Sequence, residues 1–72
     1  MKIKYYKETD SLYIDLSEKN SKESLEVAPG IVIDLDENNT IVGIDIDKAS
    51  RILNLSKFEV SDFPSKKLVF SS

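Results

Sequence analysis

Apolar and polar residues alternate with a period of two along most of residues 2–47. The pattern is strongest in residues 30–47, where two segments rich in isoleucine and valine flank a polar stretch. Successive side chains of a strand point to opposite faces, so the apolar set of each segment shares one face. The two sets meet on a common face in a hairpin that pairs Leu35 with Val42, Ile33 with Ile44 and Ile31 with Ile46. This register predicts a two-residue type I′ turn at Asn38-Asn39, because asparagine tolerates positive φ.

Three shorter alternating segments predict three more strands before this hairpin, at residues 2–6, 11–17 and 25–27. The first two form a hairpin that sets Tyr5 opposite Leu12 and Ile3 opposite Ile14. The second and third are predicted to pair around a turn at residues 20–21, with Leu16 opposite Leu25 and Ile14 opposite Val27. The sequence therefore predicts an antiparallel sheet of about five strands in meander order.

The connection at Pro29-Gly30 leaves two geometries open. Proline followed by glycine is typical of a type II turn, since glycine accepts the positive φ of the second central position. A strict two-residue connection would put Val27 and Ile31 on opposite faces. Either a bulge intervenes, or the third and fourth strands are not simple neighbours.

The period changes after Asp47, which is predicted to cap a short helix. Its apolar stripe of Ala49, Ile52 and Leu53 is predicted to cover the apolar face of the sheet. The fold class is thus α+β, with the sheet and helix in residues 1–55.

Residues 56–72 form a C-terminal extension of uncertain structure. Ser56 and Glu59 match a capping box, which would begin a helical turn. Residues 58–60 fit a short strand equally well. Residues 66–70 fit either a last edge strand or a tail that binds a partner.

Size and charge exclude several classes of function. At 72 residues without cysteine or histidine, the chain has neither a disulfide nor a zinc site of the usual Cys/His type. A core this small supplies at most about 3–5 kcal/mol, which favours stabilisation by self-association or by a partner. The net charge of −3 argues against general nucleic-acid binding. The absence of a signal-like or membrane-spanning segment predicts a cytoplasmic protein without membrane contact.

A set of motifs resembles a known family of small, mostly bacterial proteins that is catalogued only as a domain of unknown function. The motifs are Tyr6, Glu8 and Asp10 followed by Leu12-Tyr13-Ile14 and Leu16, then residues 27–34, then Val42-Gly43-Ile44-Asp45-Ile46, then Ala49-Ser50. The resemblance covers residues 1 to about 53 and implies an antiparallel sheet followed by a helix. It transfers no catalytic residues. Families of this kind resemble the small acidic halves of toxin–antitoxin-like pairs.

Asp34, Asp36, Asp45 and Asp47 form the only conspicuous chemical constellation in the sequence. Carboxylates on rigid strands could hold Ca²⁺ or Mg²⁺, or serve a small metal- or ligand-dependent enzyme. The alternative, which we favour, is that they keep an exposed face of the sheet soluble. A serine-type triad is excluded because the chain has no histidine.

Tyr6 and Tyr13 are predicted to lie on the same outward face, beside Lys2 and Lys4. Aromatic rings next to lysines can stack on single-stranded nucleic acid, but the aspartates of this face would repel phosphates. Exposed tyrosines more often mark a cross-strand pair or a protein interface. The isolated Gly43 is predicted to mark close packing across the sheet.

These patterns favour a non-enzymatic module that dimerises or binds another protein, without a cofactor, a metal site or catalytic residues. The alternative that stays open is a metal-binding protein or small enzyme that uses the outward-facing aspartates. The candidate binding residues on the outer face are Tyr6, Tyr13, Asp15, Asp34 and Asp45.

Overall fold

The computed structural model describes residues 1–65, 67 and 69. In this part of the chain it contains one antiparallel sheet and one short helix. The elements are β1 (Lys2–Tyr6), β2 (Ser11–Asp15), β3 (Glu23–Ala28), β4 (Ile31–Leu35), β5 (Ile41–Ile46) and α1 (Ala49–Ile52).

The strand order is β1-β2-β5-β4-β3, so the predicted meander order is wrong. β2 pairs with β5, not with β3, and Ile14 lies opposite Ile44 where the sequence had suggested Val27. The connection after β2 instead crosses the ends of β5 and β4, where Leu16 N–H donates to Val42 O and Lys22 N–H to Leu35 O. Both strands at the edges of the sheet carry charged side chains, which oppose pairing with further strands.

The register within the two predicted hairpins agrees closely with expectation. Tyr5 pairs with Leu12 and Ile3 with Ile14 in the first hairpin. Ile33 pairs with Ile44 and Ile31 with Ile46 in the second, but the register shifts after Asp34, so Leu35 lies opposite Ile41 instead of Val42.

The turn between β4 and β5 differs from the predicted type I′ turn. Asn39 has a positive φ of 61°, whereas Asn38 does not belong to the positive-φ residues. Asn39 N–H donates to Asp36 O, and Asp36 N–H donates to Thr40 O. This is a three-residue hairpin loop whose last residue is left-handed.

The connection at Pro29-Gly30 combines a tight turn with a bulge. Gly30 has φ of 78°, as the predicted type II turn requires. β3 and β4 are direct neighbours, and the register shifts between Glu26 and Ala28. Of the two geometries that the sequence left open, the bulge is therefore correct.

Helix α1 begins at Ala49 and is shorter than its predicted apolar stripe. Asp47 does not cap it: the N-cap residue is Lys48, which is left-handed and makes no side-chain capping bond. Asp10, in the turn between β1 and β2, accepts hydrogen bonds from the first N–H groups of α1 instead. Its carboxylate accepts from Ser50 N–H at 3.0 Å, and its backbone carbonyl accepts from Ala49 N–H at 2.8 Å.

One face of the sheet, which we call the apolar face, carries rows of apolar side chains from all five strands. One row runs across the whole sheet in the order Ile3, Ile14, Ile44, Ile33, Leu25. Another runs in the order Tyr5, Leu12, Ile46, Ile31, Ala28. We call the opposite side, which carries Tyr13, Asp34 and Asp45, the outer face.

The buried apolar core is confined to Leu35, Val42, Ile46 and Ala49 among the described residues. Of the predicted apolar stripe, Ala49 is buried but Ile52 and Leu53 are exposed, so the structure does not show the predicted covering of the apolar face by α1. The ends of the first apolar row are open to solvent, with Ile3 at 47% and Leu25 at 43% of full exposure.

Residues 56–65 form neither the helical turn nor the strand that the sequence left open. The prediction of an edge strand or a partner-binding tail at residues 66–70 falls largely outside the described residues. In the part of the chain that is described, no helix has the length and apolar character that crossing a membrane requires.

Candidate functional site

Tyr13 crosses the outer face of the sheet to reach Asp34. It starts on β2, passes over Gly43 on β5 and donates its hydroxyl proton to Asp34 Oδ2 on β4, at 2.9 Å. A Cβ added at Gly43 would lie 2.9 Å from Tyr13 Cζ and 3.1 Å from Asp34 Oδ2. The missing side chain therefore makes room for the ring, which confirms the prediction of close packing at this glycine.

Ser24 completes the network from β3. Its hydroxyl donates to the other oxygen of Asp34, Oδ1, at 2.7 Å. Two side chains from two other strands, Tyr13 on β2 and Ser24 on β3, thus converge on the carboxylate of Asp34 on β4. Because Ser24 lies directly opposite Asp34 in the ladder, the network also fixes the register of the edge strand β3.

The surroundings of Tyr13 on the outer face raise its pKa to about 12. The largest cause is the hydrogen bond to Asp34, followed by partial burial and by the negative charges of Asp34, Asp15 and Asp45. Ionising the phenol would put a further negative charge among three carboxylates. The phenol consequently stays protonated at neutral pH and is a poor general base.

The predicted binding residues do not all come together. Tyr13 and Asp34 are in contact, and the charges of Asp15 and Asp45 act on Tyr13. Tyr6 lies on the edge strand β1, where Lys4 Nζ stands 5.1 Å from the centroid of its ring. That pair is a cation–π contact between neighbours on one strand.

The candidate metal ligands are not gathered into a site. In residues 1–65, 67 and 69, no three acidic side chains lie close enough together to hold a metal ion. Both oxygens of Asp34 already accept hydrogen bonds from side chains. Asp47 bonds the adjacent Lys48 N–H instead.

Asp36 has a role that sequence reasoning missed. It is 4% exposed, and its Oδ1 accepts from Asn38 N–H at 2.8 Å and Thr40 N–H at 3.0 Å. These bonds hold the pKa of the Asp36 carboxyl below its usual value. Its Oδ2 is buried without a protein partner among the described residues. An aspartate that opens a polar turn is the available signal, since it bonds the backbone two residues on.

The role of Asp10 is the second one that sequence reasoning missed. Its carboxylate accepts from Ser50 Oγ at 2.6 Å and from Tyr5 Oη at 2.7 Å. The hydrogen bond from Ser50, followed by that from Tyr5, lowers the pKa of this carboxyl. No local pattern could reveal a partner 40 positions away.

Comparison with known proteins identifies relatives of the chain. A family model described as "Protein of unknown function (DUF2283)" matches residues 2–50. An uncharacterized protein of the archaeon Methanocaldococcus jannaschii, MJ0789, is 38% identical over 60 residues, which cover 83% of this chain and 51% of the relative. The chain thus spans about half the length of that curated relative.

No solved structure matches the chain significantly. The family match covers more than half of the chain and spans all five strands. The chain therefore belongs to the DUF2283 family of proteins of unknown function.

Proposed function

We propose that this protein is a non-enzymatic association module that binds a protein surface through its apolar face. One observation carries the proposal. Among the described residues, no helix or strand is packed over the rows of isoleucine and leucine that cross all five strands. Sheets of stable domains bury such a face against a second layer.

The free energy available from covering this face is large relative to the stability of the chain. Full burial of an isoleucine or leucine contributes about 1.5–3 kcal/mol relative to its exposed state. Ile14, Ile33 and Ile44 are only half-buried, and Ile3 and Leu25 are exposed. The free energy gained when a partner covers these side chains would be comparable to the stability of about 3–5 kcal/mol that one small core supplies.

The outer face favours a basic partner as a second feature of the proposal. Asp15, Asp34 and Asp45 concentrate negative charge around Tyr13, and the chain as a whole has a net charge of −3. Complementary charges speed association and select partners. The finer proposal is thus an acidic, antitoxin-like partner of a basic protein in the cytoplasm, and binding should weaken as salt rises.

The test uses neighbouring residues of β3 that face opposite sides of the sheet. Leu25→Lys places a charge on the apolar face, whereas Glu26→Gln changes the net charge by the same amount on the outer face. Each variant of the full chain is immobilised and tested for a protein that it retains at micromolar concentration. The solution mass of each variant is measured in parallel.

We expect association with a second chain, of whatever kind, to be lost in Leu25→Lys and kept in Glu26→Gln. Far-UV circular dichroism checks that both variants stay folded. A wild-type chain that is monomeric and retains no protein at micromolar concentration would contradict the proposal, as would equal association by both variants.

A further inference from the structure

We infer that a cleft between the β2–β3 connection and the β4–β5 loop binds an arginine side chain of the basic partner, with Asp36 Oδ2 as the acceptor for its guanidinium group. The inference rests on the proposed function and deepens it, since it assigns a site at which a basic partner is recognised. The cleft lies at the end of the sheet where β4 ends and β3 begins.

Asp36 supplies the observation that points to a ligand. The residue is 4% exposed, and the two hydrogen bonds that its carboxylate accepts, from Asn38 N–H and Thr40 N–H, both go to Oδ1. Oδ2 is buried and has no partner among the described residues. Buried acceptors in folded proteins are almost always paired, because an unpaired one loses its hydrogen bonds to water without replacement. Oδ2 therefore marks a place for a donor that the chain itself does not supply.

The cleft beside Asp36 has the size and the polar groups that a guanidinium group requires. Its volume is about 550 Å³, and it is lined by residues 18–22 and 36–38. Pockets for small ligands have volumes of about 300–1,000 Å³. Asn20, Ser21 and Asn38 carry further oxygen acceptors in this lining. A guanidinium group has several N–H donors, so it can bond Oδ2 and these acceptors together.

The charges around the cleft favour a cation. The carboxylates of Glu18, Asp36 and Glu37 outnumber the ammonium groups of Lys19 and Lys22. Neither lysine forms an ion pair with a carboxylate in the part of the chain that the structure describes. The charge of Lys19 is the last of the causes that act on the pKa of Asp36, after the bonds from the loop and burial. The lysines therefore leave the position at Oδ2 open to a ligand.

The β2–β3 connection can give a ligand access to the buried oxygen. Leu16 N–H and Lys22 N–H attach the two ends of the connection to the sheet. Between them, within the described residues, the backbone bonds only locally, from Lys19 N–H to Ser17 Oγ. Residues 18–22 are exposed. Segments with few bonds and little burial open at low free energy, so the side chains over Oδ2 can move aside.

A guanidinium group suits this site better than a metal ion or an ammonium group. Ca²⁺ requires more oxygen ligands than one carboxylate provides, and no three acidic side chains in residues 1–65, 67 and 69 lie close enough together to hold a metal ion. The neighbouring Lys19 and Lys22 would also repel a divalent ion twice as strongly as a single charge. Guanidinium is more weakly hydrated than ammonium, so bringing it to a buried carboxylate costs less.

NMR titration of the full chain with the peptide acetyl-Gly-Arg-Gly-amide tests the inference. The readouts are the backbone amides of Asn38 and Thr40, because both bond the Asp36 carboxylate. We expect saturable shifts with a Kd of about 1–10 mM, as befits a single side chain. The same peptide with citrulline in place of arginine has nearly the same shape without the charge. It should give no saturable shift up to about 50 mM.

Three variants assign the binding to the Asp36 charge. Asp36→Asn keeps an oxygen for the loop amides and removes the charge, so it should raise the Kd by about tenfold or more. Glu26→Gln changes the net charge equally on β3 and should bind like wild type. Lys19→Gln should bind the arginine peptide about two- to fivefold more tightly, because it removes a competing positive charge.

The inference is overturned by an arginine peptide that does not bind, by equal binding of the citrulline peptide, or by an unchanged Kd in Asp36→Asn. Shifts of these amides by CaCl₂ but not by the peptide would overturn it in favour of a metal site. If circular dichroism shows that Asp36→Asn is unfolded, Lys19→Gln decides, and equal or weaker binding overturns the inference.

The outcome is distinguishable from a failure of the proposed function. A wild type that does not bind the arginine peptide, but loses its association with a second chain in Leu25→Lys, overturns the inference and leaves the proposed function standing. Saturable binding of the arginine peptide by Leu25→Lys, with the Kd of wild type, supports a site separate from the apolar face.

Discussion

Tyr13 and Asp34 lie 21 positions apart in the chain, yet one hydrogen bond joins them across the outer face. The bond depends on Gly43, because a Cβ there would displace the ring. At the scale of single residues, the outer face therefore contains a fixed polar network in which both carboxylate oxygens of Asp34 already accept hydrogen bonds. Its titration behaviour reports whether the network is intact.

Asp34→Asn should lower the pKa of Tyr13 from about 12 towards the ordinary value of about 10. The substitution removes the charge and weakens the hydrogen bond that cause the shift. NMR of ¹³C-labelled tyrosine resolves the three phenols in a titration. Tyr5, whose pKa is raised mainly by its hydrogen bond to Asp10, is the internal control and should not change. An unchanged Tyr13 would show that the bond does not form in solution.

The same shift fixes a dependence of stability on pH. The pKa of Tyr13 is higher in the folded than in the unfolded chain, so its contribution to stability is complete below pH about 10. It is lost as the pH rises through that of the folded state, about 12. Asp34→Asn should reduce this loss at alkaline pH.

At the scale of elements, alternation identified the face of each residue but not the neighbour of each strand. Ile14 keeps its apolar environment opposite Ile44 as well as it would opposite Val27, so facing alone cannot choose between β5 and β3. The charged strands β1 and β3 were the better signal, because edge strands carry charges. Hairpins with short loops were predictable, since the connection restricts the register, whereas the shift after Asp34 left no mark in the pattern.

Asn39→Ala should destabilise the chain by about 1–2 kcal/mol, because the left-handed conformation that asparagine tolerates costs alanine about that much. Asn38→Ala is the matched control and should have little effect, because Asn38 is not in that region. Urea unfolding measures both. Equal losses would favour the type I′ turn, in which both residues need positive φ.

Asp10→Asn should lower the melting temperature, because Asp10 joins the β1–β2 turn to α1 through Ser50. Asparagine tolerates the positive φ of 54° at this position, so the change tests the carboxylate and not the backbone. Asp47→Asn, at the predicted but unused cap, is the control and should melt like wild type.

The dependence of stability on pH in the acidic range provides a second check on Asp10. Its pKa is lower in the folded chain, so its stabilisation is present above the ordinary pKa of the carboxyl and is lost as the pH falls through the folded value. Asp10→Asn should therefore lose less stability between pH 7 and pH 2 than wild type does, since that is about the range in which aspartates titrate. An equal loss of stability in wild type and Asp10→Asn over this range would contradict the role of the Asp10 carboxylate.

At the scale of the whole molecule, the buried core is divided between the two ends of β5, with Leu35 and Val42 near the β4–β5 loop and Ile46 and Ala49 near the β1–β2 turn. The sequence predicted which side is apolar but not how little of it would be covered. The covered part of the face depends on the helix, which the apolar pattern predicted to be longer and to lie over the face. Asp10 holds the short helix beside the β1–β2 turn instead.

Ile46→Ala should cost about 2–5 kcal/mol, the usual range for such a buried truncation. Ile46 is 8% exposed, whereas Ile41 on the same strand is 43% exposed. Ile41→Ala is the matched control and should cost much less. Urea unfolding, with an osmolyte added if the variant is unfolded in water, gives both values. A similar loss in the two variants would place the core elsewhere.

The position of β5 between β2 and β4 has a consequence for synthesis on the ribosome. Of the five strands in the described residues, the one that joins both halves of the sheet is the last to be made, and Tyr13 cannot pair with Asp45, its partner in the ladder, until then. Before residue 46 leaves the exit tunnel, the nascent chain holds only separate hairpins, which are marginal in water. Translation that stalls before that point should leave a protease-sensitive chain, and folding should complete cooperatively soon afterwards.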